Sequence, residues 1–177
     1  MTPDDALPVS KVLVVDDSRM VRASIIKHIR SRFEVREESD GETGWEALVV
    51  DPSIQLVLTD IGMPRLDGFG LLQRIRASRV QRIADIPVVI ISGDEDDEAR
   101  ARALKLGAND FLAKGASPTE LIARLDSLVR LAHARRELDE SRAALAKQSP
   151  VDPVSGLATP SYLNHHAEQE MALARRH

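Results

Sequence analysis

Three aspartates, a serine and a lysine stand where apolar runs of this 177-residue chain stop. Leu56-Val57-Leu58-Thr59 climbs to Asp60 and then breaks into Ile61-Gly62-Met63-Pro64, with a further glycine at Gly68. Val12-Leu13-Val14-Val15 ends in Asp16-Asp17. Ile86-Pro87-Val88-Val89-Ile90-Ile91 ends in Ser92-Gly93, and Asp110-Phe111-Leu112-Ala113 ends in Lys114. An Asp at one strand end is often only a turn former or a helix cap. Four runs finishing in Asp-Asp, Asp, Ser and Lys form a set that can converge on one rim of a sheet.

Such a rim has definite chemistry. Carboxylates about 4 Å apart repel by about 4 kcal/mol per pair at an effective dielectric of 20, so they share a site only with a cation among them. All-oxygen donors select Mg²⁺ or Mn²⁺ over zinc. Asp17 and Asp60 are expected as direct ligands, Asp16 directly or through water, and the backbone carbonyl of Gly62 as a further donor. A divalent cation beside an exposed Asp, with a hydroxyl and an ammonium nearby, is a phosphoryl-transfer constellation. Asp60 would attack phosphorus, while the metal, Lys114 and Ser92 balance charge on the transferred oxygens. The product is a compact group of roughly −2 charge, and recruiting Ser92 would reposition its loop.

The elements that must hold these groups follow from hydrophobic period and punctuation. Strands buried on both faces read as continuous Val/Ile/Leu runs. Lys11–Val15, Phe33–Glu37, Ile54–Asp60, Pro87–Ile91 and Asn109–Ala113 are the five expected strands, the second polar and near a sheet edge. Helices are expected at about Met20–Arg30 with Ser18 as cap, at Gly41–Val50, at Gly68–Ala77 and at Glu95–Leu106 ending on Gly107. A fifth starts near Ser117-Pro118. Strands alternating with helices imply α/β architecture, a doubly wound parallel sheet with right-handed crossovers. In such sheets ligands bind at the carboxyl ends of the strands, where the acids fall.

The fifth helix runs from Pro118 to about Lys147 without Gly or Pro, a span of about 45 Å. Leu131, Leu138 and Leu145 recur every seven residues, with Leu121 and Leu128 in another register. This short heptad pattern, with a slip in register, favours pairing with a second copy in a parallel homodimer over the alternative of one solvated amphipathic helix. Gln148-Ser149-Pro150 breaks the helix, and residues 151–177 offer Tyr162, Leu163, Ala167, Met171 and Leu173 as an apolar face with nothing later to cover it. The expected organisation is a domain at 10–130, a helical linker at 131–149, and at 150–177 the opening of a further domain.

Bulk properties narrow the classes. Hydrophobic residues make up 43% and charged residues 29%, enough for a core in a soluble protein. Net charge is −4, with basic residues scattered among acids, so no nucleic-acid or anionic-membrane partner is expected. No cysteine is present, which excludes disulfides and thiolate metal sites. Residues 1–8 do not resemble a signal peptide, and no apolar run approaches the roughly 20 residues of a membrane span. A cytoplasmic protein is expected. His28, His133 and His165-His166 lack metal-ligand spacing and read as surface residues, and Trp45 as packing. No glycine loop of the type that cradles nucleotide phosphates occurs, which argues against a nucleotide hydrolase.

The set Asp16-Asp17, Asp60 with Met63-Pro64 and Gly68, Ser92-Gly93, and Phe111 with Lys114 resembles the receiver domain of two-component response regulators, over about residues 10–130. The resemblance implies a flavodoxin-like strand order 2-1-3-4-5. It also implies that Asp60 accepts phosphate from a histidine kinase or phosphotransfer protein, and that Ser92 and Phe111 form a switch pair. Gly115 stands after Lys114 where the family usually has proline, so the loop into the fifth helix is expected to differ. Asp152-Pro153-Val154-Ser155-Gly156-Leu157, Tyr162-Leu163 and Ala174-Arg175-Arg176-His177 resemble the opening of a GGDEF (diguanylate cyclase) domain, with Thr159-Pro160 where Asn-Arg is usual. The GGDEF signature itself is absent. The chain as given is therefore expected to be a regulatory phosphoacceptor and no enzyme, its signal passing along the helix to a cyclase. The alternative is a receiver that acts by binding or sequestering a partner, its helical tail only a dimer clamp.

Overall fold

A computed structural model describes residues 9–93, 97–148 and 157, and the chain divides into two compact units, residues 1–132 and 133–177. The first unit is built on five strands: β1 Lys11–Val15, β2 Glu34–Glu38, β3 Ile54–Asp60, β4 Val88–Ser92 and β5 Asp110–Ala113. They pair in parallel in the order β2-β1-β3-β4-β5. The flavodoxin-like order holds, and the polar β2 is an edge strand. Its four charged residues, Glu34, Arg36, Glu37 and Glu38, suit an edge, where only one side of the ladder is paired.

Successive side chains on a strand point to opposite faces. Leu13 and Val15 of β1 therefore enter one apolar layer, and Val12 and Val14 the other. α1 (Arg19–Ile29) covers the second layer with Ile25 and Ile29, joined there by Leu121, Leu125 and Val129 of α6 (Pro118–Gln148). The first layer is covered by α2 (Gly41–Val50), α3 (Gly68–Arg76), the one-turn α4 (Gln81–Ala84) and α5 (Asp97–Lys105). Each buried Leu or Ile stabilises by about 1.5–3 kcal/mol, so strands sealed on both sides carry the fold.

Most termini fall within two residues of expectation, because local chemistry sets them. The Ser18 hydroxyl accepts from the Val21 amide and caps α1. Gly107, at φ +95°, turns the chain out of α5. The turn α4 departs from the expected five helices. It has no side-chain cap, and it forms because Ile83 is buried beneath it. Local signals do not mark such a turn; tertiary packing makes it. The expected start of α5 at Glu95 lies outside the described residues.

Within the second unit, residues 133–145 of α6 are exposed or half-buried, with Leu138 50% and Leu145 64% exposed. The expected helix over Ser161–Arg176 and the stretch compared with a GGDEF domain lie outside the described residues, save Leu157. Among the described residues no helix is long and apolar enough to cross a membrane.

Candidate functional site

Register brings the acids together. Val15 of β1 pairs with Thr59 of β3, so the next residues, Asp16 and Asp60, leave adjacent central strands side by side. One carboxylate oxygen from each of Asp16, Asp17 and Asp60 lies within 4.8 Å of the others. Asp16 is fully buried and Asp60 nearly so, while Asp17 is exposed. The Asp16 Oδ1 accepts from the Ser18 amide at 2.8 Å, which fixes the β1–α1 turn.

Lys114 closes the cluster from the end of β5. Its amide donates to the Ser92 carbonyl at 2.7 Å, continuing the β4–β5 ladder past Ala113. Its Nζ lies 2.9 Å from Asp16 Oδ2 and 3.0 Å from Asp60 Oδ2. The first is an ion-pair distance without hydrogen-bond alignment, so the buried Asp16 Oδ2 has no hydrogen-bond partner among the described residues. Burial lowers the affinity of Lys114 for its proton, but bonding to Asp16 and Asp60 outweighs this and raises its pKa. For Asp60, burial raises the pKa, and the neighbouring Lys114 offsets only part of that. Two carboxylates that share one ammonium, with a third carboxylate within 4.8 Å, make an all-oxygen cluster that fits a hard divalent cation.

A cavity of about 490 Å³ opens beside Asp60 and is lined by Gly62, Phe69, Ser92, Arg102 and Lys114. Ser92 and the Gly62 turn therefore face the same space as the acid and the ammonium. Phe111 lies apart. It is 4% exposed in the apolar layer under α5, with the Arg100 guanidinium 5.5 Å from its ring centroid, and lines a separate recess with Arg100 and Asp110. Among the described residues no peptide bond is cis, so Gly115 follows Lys114 in an ordinary trans linkage.

The loop after Asp60 folds back tightly. A Cβ on Gly68 would stand 2.0 Å from the Asp60 carbonyl oxygen, a distance no side chain tolerates. Arg65 holds φ +66°, a left-handed conformation that costs a non-glycine residue of order 1–2 kcal/mol. Its guanidinium is bonded to the buried Asp40 carboxylate, which also caps α2 by accepting from the Glu42 and Thr43 amides. The Gly41 amide donates to the Leu66 carbonyl at 3.0 Å, so the loop is tied to α2 twice. These anchors, and the Arg102 and Phe69 wall of the cavity, escaped sequence reading. Asp40-Gly41 before an apolar helix was the available signal for the cap; the others depend on contacts between segments far apart in the chain.

The family model of the response regulator receiver domain matches residues 12–126. The chain is 38% identical over 119 residues to the two-component response regulator ORR11 of Oryza sativa, covering 67% of this chain and 79% of that protein. It is 36% identical over 122 residues to the transcriptional regulatory protein GltR of Pseudomonas aeruginosa, and spans about half (49%) of that relative's length and 68% of its own. Among solved structures, a probable two-component system response regulator/GGDEF domain protein superposes with a TM-score of 0.64 at 34% identity, over 70% of this chain and 50% of that one. This chain belongs to the response regulator receiver domain family. Receiver domains are regulatory phosphoacceptors, not catalytic domains; they bind Mg²⁺ through an acidic pocket and work with histidine kinases or phosphotransfer proteins.

Proposed function

We propose that Asp60 is the phosphoacceptor of this receiver and that Asp16, Asp17, Asp60 and the Gly62 carbonyl hold Mg²⁺ or Mn²⁺. The observation that carries the reading is one ammonium, Lys114 Nζ, set at 2.9 and 3.0 Å between two buried carboxylates that share a cluster with a third. An Asp60 carboxylate oxygen attacks phosphorus, and the bond from phosphorus to the donor's histidine nitrogen breaks. Its electron pair returns to the imidazole. Lys114 and the Ser92 hydroxyl face the transferred oxygens, Lys114 giving up part of its pairing with Asp60 to do so. The metal, when bound, neutralises charge on those oxygens. Ser92 and Phe111 form the switch pair of this reading, with the Phe111 ring held inward at 4% exposure, the position it takes when Ser92 engages the phosphoryl group.

The domain organisation proposed is a receiver at 10–130, a helical linker at 131–149 and the start of a GGDEF-type output domain at 150–177. The joined receiver and GGDEF protein among the solved structures supports it, as do Asp152 to Leu157. Exposed Leu131, Leu138 and Leu145 on α6 support homodimerisation through the helix. Intact-mass measurement after acetyl phosphate and Mg²⁺ tests the acceptor. The wild type should gain one phosphoryl group and Asp60→Asn none; a gain in both would move the acceptor elsewhere. Cyclic di-GMP formation from GTP, by protein that carries the downstream segment, with and without phosphorylation, tests the output.

A further inference from the structure

We infer that Arg22 is a positioning residue for the divalent-cation site, holding the main chain of the acid pair so that Asp17 reaches the cluster. The inference rests on the metal reading above and assigns a role to a residue outside the acid set.

Asp17 is the weakly held member of that set. Asp16 is fixed through the Ser18 amide and Lys114, and Asp60 through Lys114 and the turn of chain against Gly68. The Asp17 side chain is exposed and makes no hydrogen bond or ion pair among the described residues, yet its carboxylate sits within 4.8 Å of the other two. Only the backbone can place it. The group that grips that backbone is the Arg22 guanidinium, one turn into α1. Its Nη1 donates to the Asp16 carbonyl at 2.6 Å and lies 3.4 Å from the Asp17 carbonyl, while its Nε donates to Glu37 Oε2 at 3.1 Å on the edge strand β2. The side chain is 13% exposed, and these three bonds engage its Nε and Nη1.

The arrangement has an electrostatic logic as well. Lys114 meets the carboxylates themselves and so competes with a cation for them. Arg22 meets carbonyl oxygens behind them, leaving the carboxylate oxygens open, and its charge is balanced by Glu37. A lysine could not replace it, since its single nitrogen cannot reach the carbonyls met by Nη1 and also Glu37, which is met by the separate Nε of a rigid plane. Partners of this kind, which orient ligands without touching the ion, typically change metal affinity 10- to 100-fold when removed.

The test is Mn²⁺ affinity, read from the EPR signal of free Mn²⁺ during titration, beside thermal melting in EDTA. Wild type, Arg22→Ala, Arg22→Lys, Glu37→Gln and Asp17→Asn are compared. The expected result is about a 10-fold weaker Kd for Arg22→Ala, little rescue by Arg22→Lys, a smaller loss for Glu37→Gln, and metal-free melting of Arg22→Lys close to wild type. Adding Arg22→Ala to Asp17→Asn should cost much less than Arg22→Ala alone, because the ligand it positions is already disabled. Equal affinities in wild type and Arg22→Ala would overturn the inference, as would full additivity with Asp17→Asn or complete rescue by lysine. Failure of the underlying metal reading looks different: wild type itself would bind no Mn²⁺.

Discussion

At the scale of single residues, the site is a place where folding is worked against. Burial raises the Asp60 pKa, so the ionised side chain detracts from stability at neutral pH even with Lys114 beside it. Asp60→Asn is therefore expected to raise Tm in EDTA, while added Mg²⁺ raises the Tm of the wild type and not of the variant, by mass action on the folded state. Calorimetry with and without the ion checks both arms; a lower Tm for the variant in EDTA would contradict the electrostatic argument. Asp51 shows the opposite sign. The Ser53 hydroxyl and amide, with Lys11, hold it at about 2, below the ordinary carboxylate value. Its contribution is full above that ordinary value near 3.9 and is lost as pH falls from about 4 toward 2. Asp51→Asn should lower stability at pH 6 and leave it nearly unchanged relative to wild type at pH 2, measured by urea unfolding. Asp16-Asp17, Asp60 and Lys114 were legible in the sequence because each ends an apolar run, and strand ends are where a parallel sheet exposes chemistry. Arg22 was not legible, since it acts on backbone carbonyls, which carry no mark of residue type.

At the scale of elements, hydrophobic period and caps gave the strands and long helices to within a residue or two, as Gly41–Val50 and Ile54–Asp60 show. The one-turn α4 and the way loops are tied together lay beyond that reach, because both depend on partners distant in sequence. Arg76 is the clearest case. Its guanidinium donates to the Ala84, Ile86 and Gly107 carbonyls at 2.8–2.9 Å and to Asn109 Oδ1, joining α3 to α4, the start of β4 and the turn before β5. Burial lowers its pKa. Removing it leaves these acceptors short of a donor, so Arg76→Ala should cost about 3–5 kcal/mol, seen as a lower urea midpoint. Gly68→Ala tests a link between loop and chemistry. With 2.0 Å between the new Cβ and the Asp60 carbonyl oxygen, backbone must move. The variant should lose at least ~1 kcal/mol of stability and phosphorylate more slowly from acetyl phosphate, because the loop that shifts begins at the proposed acceptor, Asp60. Unchanged phosphorylation would show that the shift is absorbed further along, toward Arg65.

At the scale of the whole molecule, the exposed leucines of α6 are the surface on which the proposed contact between copies rests. Leu131, Leu138 and Leu145 are 65%, 50% and 64% exposed and recur every seven residues. A straight helix drifts by about 20° per heptad, so the three stay within roughly 40° on one stripe. Covering such partly exposed leucines gains about 1–2 kcal/mol each, and a twofold pair covers six. The total is comparable with the 4–15 kcal/mol cost of association, so a weak dimer is expected, not an obligate one. Light scattering across a wide concentration range should show the mass doubling as concentration rises, with a midpoint in the micromolar range or weaker. The triple variant Leu131→Glu, Leu138→Glu, Leu145→Glu should remain monomeric throughout while melting close to wild type, since none of the three side chains belongs to the apolar layers under the sheet. A triple variant that still dimerises would place the contact on another face. Repeating the titration with the phosphorylated protein then reads how far modification of Asp60 is felt at these leucines. A shift in the midpoint that Asp60→Asn abolishes would connect the rim of the sheet to the helix, and an unchanged midpoint would separate them.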